Sequence, residues 1–208
     1  MTITIRKLQK KDEKALIDIC YVTGDLFLKK IFPDPYLFGL FWCLYYIWFE
    51  TKNCFVAVDI EKDKVVGYIF SSLNTLKQEE NFKQKIEPLI KNRIKELRMK
   101  SVRAHLIAYF IIHKLKSKRR QDFLQKYPAH LHIDILPDYQ RQGIGSLLMK
   151  TLENHFKKQG IPGYHLEVGR KNRLGISFYK KLQLKLLQKT VFSCIFGRKL
   201  NRNSHMKL

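Results

Sequence analysis

Gln140-Arg141-Gln142-Gly143-Ile144-Gly145 lies between a β-patterned run and a helical one, and its residue types suit the capture of an anion. Glycine admits backbone conformations closed to other residues and lets a ligand approach the main chain. The start of a helix adds unpaired amide donors and the positive end of the helix dipole, so a pyrophosphate fits such a loop. Arg141 adds a side-chain charge. The third glycine of a dinucleotide fingerprint and the Lys-Ser/Thr of a nucleotide P-loop are both missing, which removes those two alternatives. Just upstream, His130, His132 and Asp134 alternate with Leu131, Ile133 and Ile135, placing three groups able to move protons on one strand face.

Such residues need a frame. AHLHIDIL (129–136) alternates strictly and predicts a strand. From Ser146 to Gln159, Leu147, Leu148, Thr151, Leu152 and His155 recur at helical spacing, and Gly160 stops the run. GYHLEVG (163–169) predicts another strand, Asn172 opens a helix through Leu182, and Leu184–Ile195 returns to β texture. Nearer the start, residues 2–8 alternate as a strand and Asp12 precedes a helix ending near Gly24. YLFGLFWCLYYIWF (36–49) predicts one helix, and CFVAVDI (54–60) with VVGYIFSSL (65–73) predicts a hairpin. Across 76–127, Lys and Arg recur among Ile86, Leu89, Ile90, Ile94 and Leu97, and again around His105–Leu115, predicting two or three helices. The order is that of an α/β domain.

The chain has 208 residues, 40 Lys+Arg against 18 Asp+Glu, and a formal net charge of +22. That length predicts a single domain over residues 1–200 with a basic tail at 201–208, and the 45% hydrophobic content excludes global disorder. Eleven of the cations are Arg and 29 are Lys, an excess that fits a polyanionic partner, an anionic membrane surface or a Lys-biased genome. Between Lys77 and Lys126 stand 15 Lys+Arg against 5 Asp+Glu, densest at Lys114, Lys116, Lys118, Arg119 and Arg120. Cys20, Cys43, Cys54 and Cys194 form no C-x-x-C pair and sit among apolar neighbours, as buried reduced thiols do. The uncharged run 36–49 is shorter than the ~20 residues a membrane span needs, so no transmembrane segment is expected. The alternating start Met1–Arg6 has no signal-peptide hydrophobic region, and a cytoplasmic location is expected.

The loop and its surroundings resemble the GNAT superfamily of acetyl-CoA-dependent acyltransferases. Its pyrophosphate loop, Q/R-x-x-G-x-G/A after the fourth strand, is matched by Gln140–Gly145, and Pro137-Asp138-Tyr139 and Leu147-Leu148 also look like that family. Downstream, LEVGRKN (166–172) followed by ISFYKKL (176–182) matches its Asn and Tyr seven residues apart, with Glu167 five before Asn172. The resemblance is strong over about residues 128–190 and looser before them. It implies an α/β fold with a mixed, mostly antiparallel sheet flanked by helices, and a helical insertion (76–127) between the third and fourth strands. It also implies that the fourth strand splays from the fifth and that the backbone of Ile133, Asp134 and Ile135 holds the pantetheine arm. The amides of Arg141, Gln142, Gly143, Ile144, Gly145 and Ser146 would hold the pyrophosphate, and Asn172 would contact the cofactor arm. Tyr179 would be the general acid near the thioester sulfur. Glu167 matches the base of ribosomal-protein-type N-terminal acetyltransferases, with Asp134 and His132 as rivals for that role.

The implied reaction moves an acetyl group from acetyl-CoA, the co-substrate, to a primary amine by direct attack in a ternary complex. The acceptor would be a small-molecule amine or a protein or peptide amine, and no metal is called for. A homodimer is compatible with the resemblance. Two alternatives stand beside it: a nucleic-acid or ribosome-binding protein, supported by electrostatics alone, and a catalytically inactive cofactor binder. One departure is local: where the family usually has Gly-Phe after the Tyr helix, this chain has Gln183-Leu184.

Overall fold

The computed structural model describes residues 2–98 and 121–200. The helical pattern around His105–Leu115, the cluster Lys114–Arg120 and the tail 201–208 lie outside the described residues. In chain order the elements are β1 (Ile3–Lys7), α1 (Glu13–Thr23), α2 (Leu26–Ile31), α3 (Pro35–Trp42), α4 (Leu44–Phe49), β2 (Phe55–Asp59) and β3 (Lys64–Ser72). Then come α5 (Thr75–Lys85), α6 (Glu87–Glu96), α7 (Gln121–Leu124), β4 (Ala129–Ile135), α8 (Ile144–Lys158), β5 (Gly163–Gly169), α9 (Arg173–Lys181), β6 (Lys185–Lys189) and β7 (Ser193–Lys199).

The strands form one sheet in the order β1-β2-β3-β4-β5-β7-β6. Every neighbouring pair is antiparallel except β4 and β5. Strand alternation sends Leu131, Tyr164, Leu166, Val168 and Phe196 to one face, where α8 covers them with Leu148, Leu152 and Phe156 at four-residue spacing. The other face presents Val56, Val58, Tyr68 and Phe70 to Leu16 of α1, Leu37 and Leu40 of α3, and Tyr46 of α4. Asn172 caps α9 by accepting from the Gly175 amide, and Asp34 caps α3 by accepting from Leu37, with Pro35 in the first turn.

One expectation needs correction, and two features add to the sequence reading. The apolar run 36–49 is two helices, broken at Cys43, whose φ of −131° lies outside the helical range. The break lets α3 pack on α1 while α4 turns Tyr46 toward Phe70 of β3, with the two rings stacked at 5.6 Å. The β texture of Leu184–Ile195 is divided between β6 and β7, joined by a turn in which Thr190 and Ser193 exchange hydrogen bonds. Helix α2 was not anticipated: it is one and a half turns long and none of its residues is buried. No helix among the described residues is long and apolar enough to cross a membrane.

The described helices between β3 and β4 belong to the core. Ile86 ahead of α6 and Ile90 and Ile94 within it are buried against α3 and α4. Arg93 of α6 donates twice to Asp34, at 3.1 and 3.0 Å, and lies over the Tyr36 ring. The arginine beside it holds the Asp34 carboxyl below the usual carboxylate range.

Candidate active site

After β4 a short 3-10 turn, Pro137–Tyr139, leads into the glycine loop. Two loop side chains brace their own backbone: Gln140 Nε2 donates to the Ile135 carbonyl and Gln142 Nε2 to that of Asp138, both at 2.9 Å. Arg141 and Gly143 have φ of 61° and 82°, the left-handed region in which alternating residues turn successive amides inward as an anion nest. Among the described residues no acceptor takes the amide hydrogens of residues 141–146. The first satisfied amide of α8 is that of Leu147, on the Gly143 carbonyl at 3.1 Å. A Cβ on Gly143 would meet nothing within 4 Å, whereas one on Gly145 would come within 3.0 Å of the Phe178 ring. The first glycine therefore leaves the approach open, and the second lets α8 and α9 close together.

At the same end of the sheet β4 parts from β5. They pair only at Ala129↔Tyr164 and His130↔His165, while β4 stays paired to β3 from His130 through Ile135. Ile133, Asp134 and Ile135 thus face an opening where a strand neighbour would be, and all three are half-buried. Carried forward, the register would set His132 against Glu167. Because Tyr164, Leu166 and Val168 turn to the α8 side, His165 and Glu167 share the opposite face with His130, His132 and Asp134.

The groups on that face differ in environment. Asp134 accepts a hydrogen bond from the Tyr68 hydroxyl at 2.6 Å. Burial pushes its carboxyl up to about 6, against the pull of the Tyr68 and Thr23 hydroxyls. Glu167 is exposed and accepts from Ser193 Oγ. His130 is buried between Tyr46, at 2.7 Å from Nε2, and Thr75, at 2.8 Å from Nδ1. The Thr75 hydroxyl also lies 2.8 Å from the Pro128 carbonyl, so both ring nitrogens of His130 are held in a polar network. His132 lies 5.3 Å from the Tyr46 ring, centroid to centroid.

Tyr179 reaches the sheet from the other side, on α9. Its ring packs on Phe178 and Phe196 and is 8% exposed, and its hydroxyl has no hydrogen-bond partner among the described residues. Burial, and then the charge of Asp134, push the phenol above its ordinary range, so it is protonated at neutral pH. Asn172 spends its carbonyl oxygen on the α9 cap, leaving its amide hydrogens for any ligand.

The structure therefore gathers Asp134, Glu167, His132, Ile133, Ile135 and the loop 141–146 at one end of the sheet. Sequence reasoning missed Tyr68, Thr23, Tyr46 and Ser193, which hold these groups. The alternation Val66-Gly67-Tyr68-Ile69-Phe70 marks Tyr68 as facing one side, but nothing local pairs it with Asp134.

Residues 26–183 match the model of the acetyltransferase (GNAT) family. The ribosomal protein bS18-alanine N-acetyltransferase of Escherichia coli (strain K12) is 39% identical over 51 residues, which are 24% of this chain and 34% of that protein. The chain thus spans about a third of the length of the curated relatives it matches. The crystal structure of SsHAT superposes with a TM-score of 0.80 at 26% identity, covering 97% of this chain and all of that one. That of PaiA N-acetyltransferase from Thermoplasma acidophilum, in complex with coenzyme A, gives 0.60 at 18% identity, over 96% and 99% of the two chains. At that identity the second likeness concerns the fold alone.

Proposed function

The chain belongs to the acetyltransferase (GNAT) family, and from that premise we propose that it transfers an acetyl group from acetyl-CoA to a primary amine by direct attack. The observation that carries the reading is a loop with six undonated amides set at the mouth of the gap where β4 leaves β5. Acetyl-CoA supplies the thioester, and its pyrophosphate is the anion that the loop suits. The amides of Arg141, Gln142, Gly143, Ile144, Gly145 and Ser146 hold that anion, and the backbone of Ile133–Ile135 lines the arm's path. Asn172 offers its amide hydrogens from the other side.

Glu167 takes the amine proton. It is exposed on the acceptor face, as a base must be to reach an incoming nitrogen. Tyr179 is protonated at neutral pH and gives its proton to the departing sulfur as the C–S bond breaks and the C–N bond forms. Asp134, ionised above about pH 6, opposes the positive charge that develops on the attacking nitrogen and helps keep Tyr179 protonated. His132 is the rival base if Glu167 is not used. The acceptor is a small-molecule amine or a protein or peptide amine. Four buried free thiols suit the cytoplasm as its compartment.

Thiol release from acetyl-CoA against a panel of amines and peptides tests the reading. Tyr179→Phe and Glu167→Gln should each lower kcat by about 100-fold or more, with KM for acetyl-CoA within about twofold. Near-wild-type turnover in both variants would overturn the assigned roles. Wild-type rates from His132→Gln would remove the rival.

A further inference from the structure

Asp59 ends β2 and is fully buried, with Oδ2 accepting from the Tyr139 hydroxyl at 3.0 Å. Its other oxygen, Oδ1, has no hydrogen-bond partner among the described residues. A buried carboxyl is costly to keep, and one with half its acceptor capacity unused more so. Valine or leucine would fill the same strand end without that cost. The feature to explain is therefore why a strong acceptor sits there.

Tyr139 answers it. It is 6% exposed, closes the 3-10 turn, and immediately precedes Gln140, where the anion loop begins. Beyond it Gln140, Arg141, Gln142 and Gly143 are all exposed, and the chain is buried again only at Ile144. Two of these four hold left-handed φ values, an arrangement that side-chain packing does not enforce. The loop is thus a short exposed span between two buried posts, Tyr139 and Ile144. Only the first post is fixed by a directional bond. Lys62, on the turn after β2, lies with Nζ 5.7 Å from the Tyr139 ring centroid, so the β2–β3 hairpin holds the tyrosine from two sides.

We propose that Asp59 and Tyr139 are positioning residues for the anion loop: the buried Asp59–Tyr139 hydrogen bond holds the undonated amides of residues 141–146 in their binding arrangement. The proposal rests on the acetyl-CoA reading and adds residues that touch neither cofactor nor acceptor. Its signature is weaker cofactor binding with unchanged chemistry.

Calorimetric titration of coenzyme A and steady-state kinetics with acetyl-CoA test it on wild type, Tyr139→Phe, Asp59→Asn and Asp59→Leu, with thermal melts to show that each is folded. Tyr139→Phe and Asp59→Leu should raise Kd and KM for the cofactor roughly tenfold with kcat within about twofold, the effect expected of one lost buried hydrogen bond. Asp59→Asn, whose amide oxygen still accepts from Tyr139, should bind like wild type. Unchanged affinity in a folded Tyr139→Phe, or kcat falling as far as affinity, overturns the proposal alone. A wild type that binds no coenzyme A overturns it together with the acetyl-transfer reading.

Discussion

Asp134 stands on the strand that lines the gap, is bonded to a tyrosine from the neighbouring strand, and is pushed up to about 6 mainly by burial. A carboxyl whose folded pKa exceeds its unfolded value stabilises the fold below the unfolded pKa, near 4, and loses that contribution as pH rises through about 6. Asp134→Asn cannot ionise but still accepts from Tyr68. Its melting temperature should therefore exceed that of wild type near pH 8, with the gap closing as the pH falls below about 5. Equal melting temperatures throughout would show that Asp134 titrates normally. At this scale the sequence was most informative where chemistry is local. The loop 140–145 can be read from its own residues, and Glu167 and Tyr179 from the stretch 166–182 that resembles the GNAT family. Tyr68 and Ser193 cannot be, because their bonds join residues 66 and 26 positions apart and depend on strand register. A long connection between β3 and β4 leaves that register free of any turn that could be read.

Helix α9 shows what a departure from a familiar pattern does to an element. Gln183 has a φ of 58°, the left-handed geometry for which glycine is suited at this position, and the bonds from Gln183 to Lys180 and Leu184 to Tyr179 still form. The turn is kept at the expense of strain in a residue bearing a Cβ. Gln183→Gly should raise stability by about 1 kcal/mol, read as a shift of the denaturation midpoint, and leave activity unchanged. A lower midpoint would mean that the Gln183 side chain compensates for the strain. Elements with a clear period, such as α8 and β5, were legible because the buried stripe is written into the residue types. The run 36–49 was not, since with apolar residues on every side there is no stripe to reveal the break at Cys43. The hairpin of β6 and β7 was missed because its turn, Thr190-Val191-Phe192-Ser193, contains no Gly, Pro, Asn or Asp.

At the scale of the whole molecule, the loop at the site carries little of the chain's positive charge. The loop offers an anion its backbone amides, with Arg141 the one basic residue between Gln140 and Ser146, although the chain carries 22 excess positive charges. On the sheet face that carries His132, the named charged groups are carboxylates, Asp134 and Glu167. The mostly antiparallel sheet and the separation of β4 from β5 were both implied by the resemblance to the GNAT family, and the separation after His130 and His165 has no signature in either strand's own residues. Calorimetric titration of acetyl-CoA into the wild-type protein addresses the separation and the loop together. One-to-one binding with a dissociation constant on the order of micromolar is the predicted result, and no binding up to about 1 mM would contradict the account.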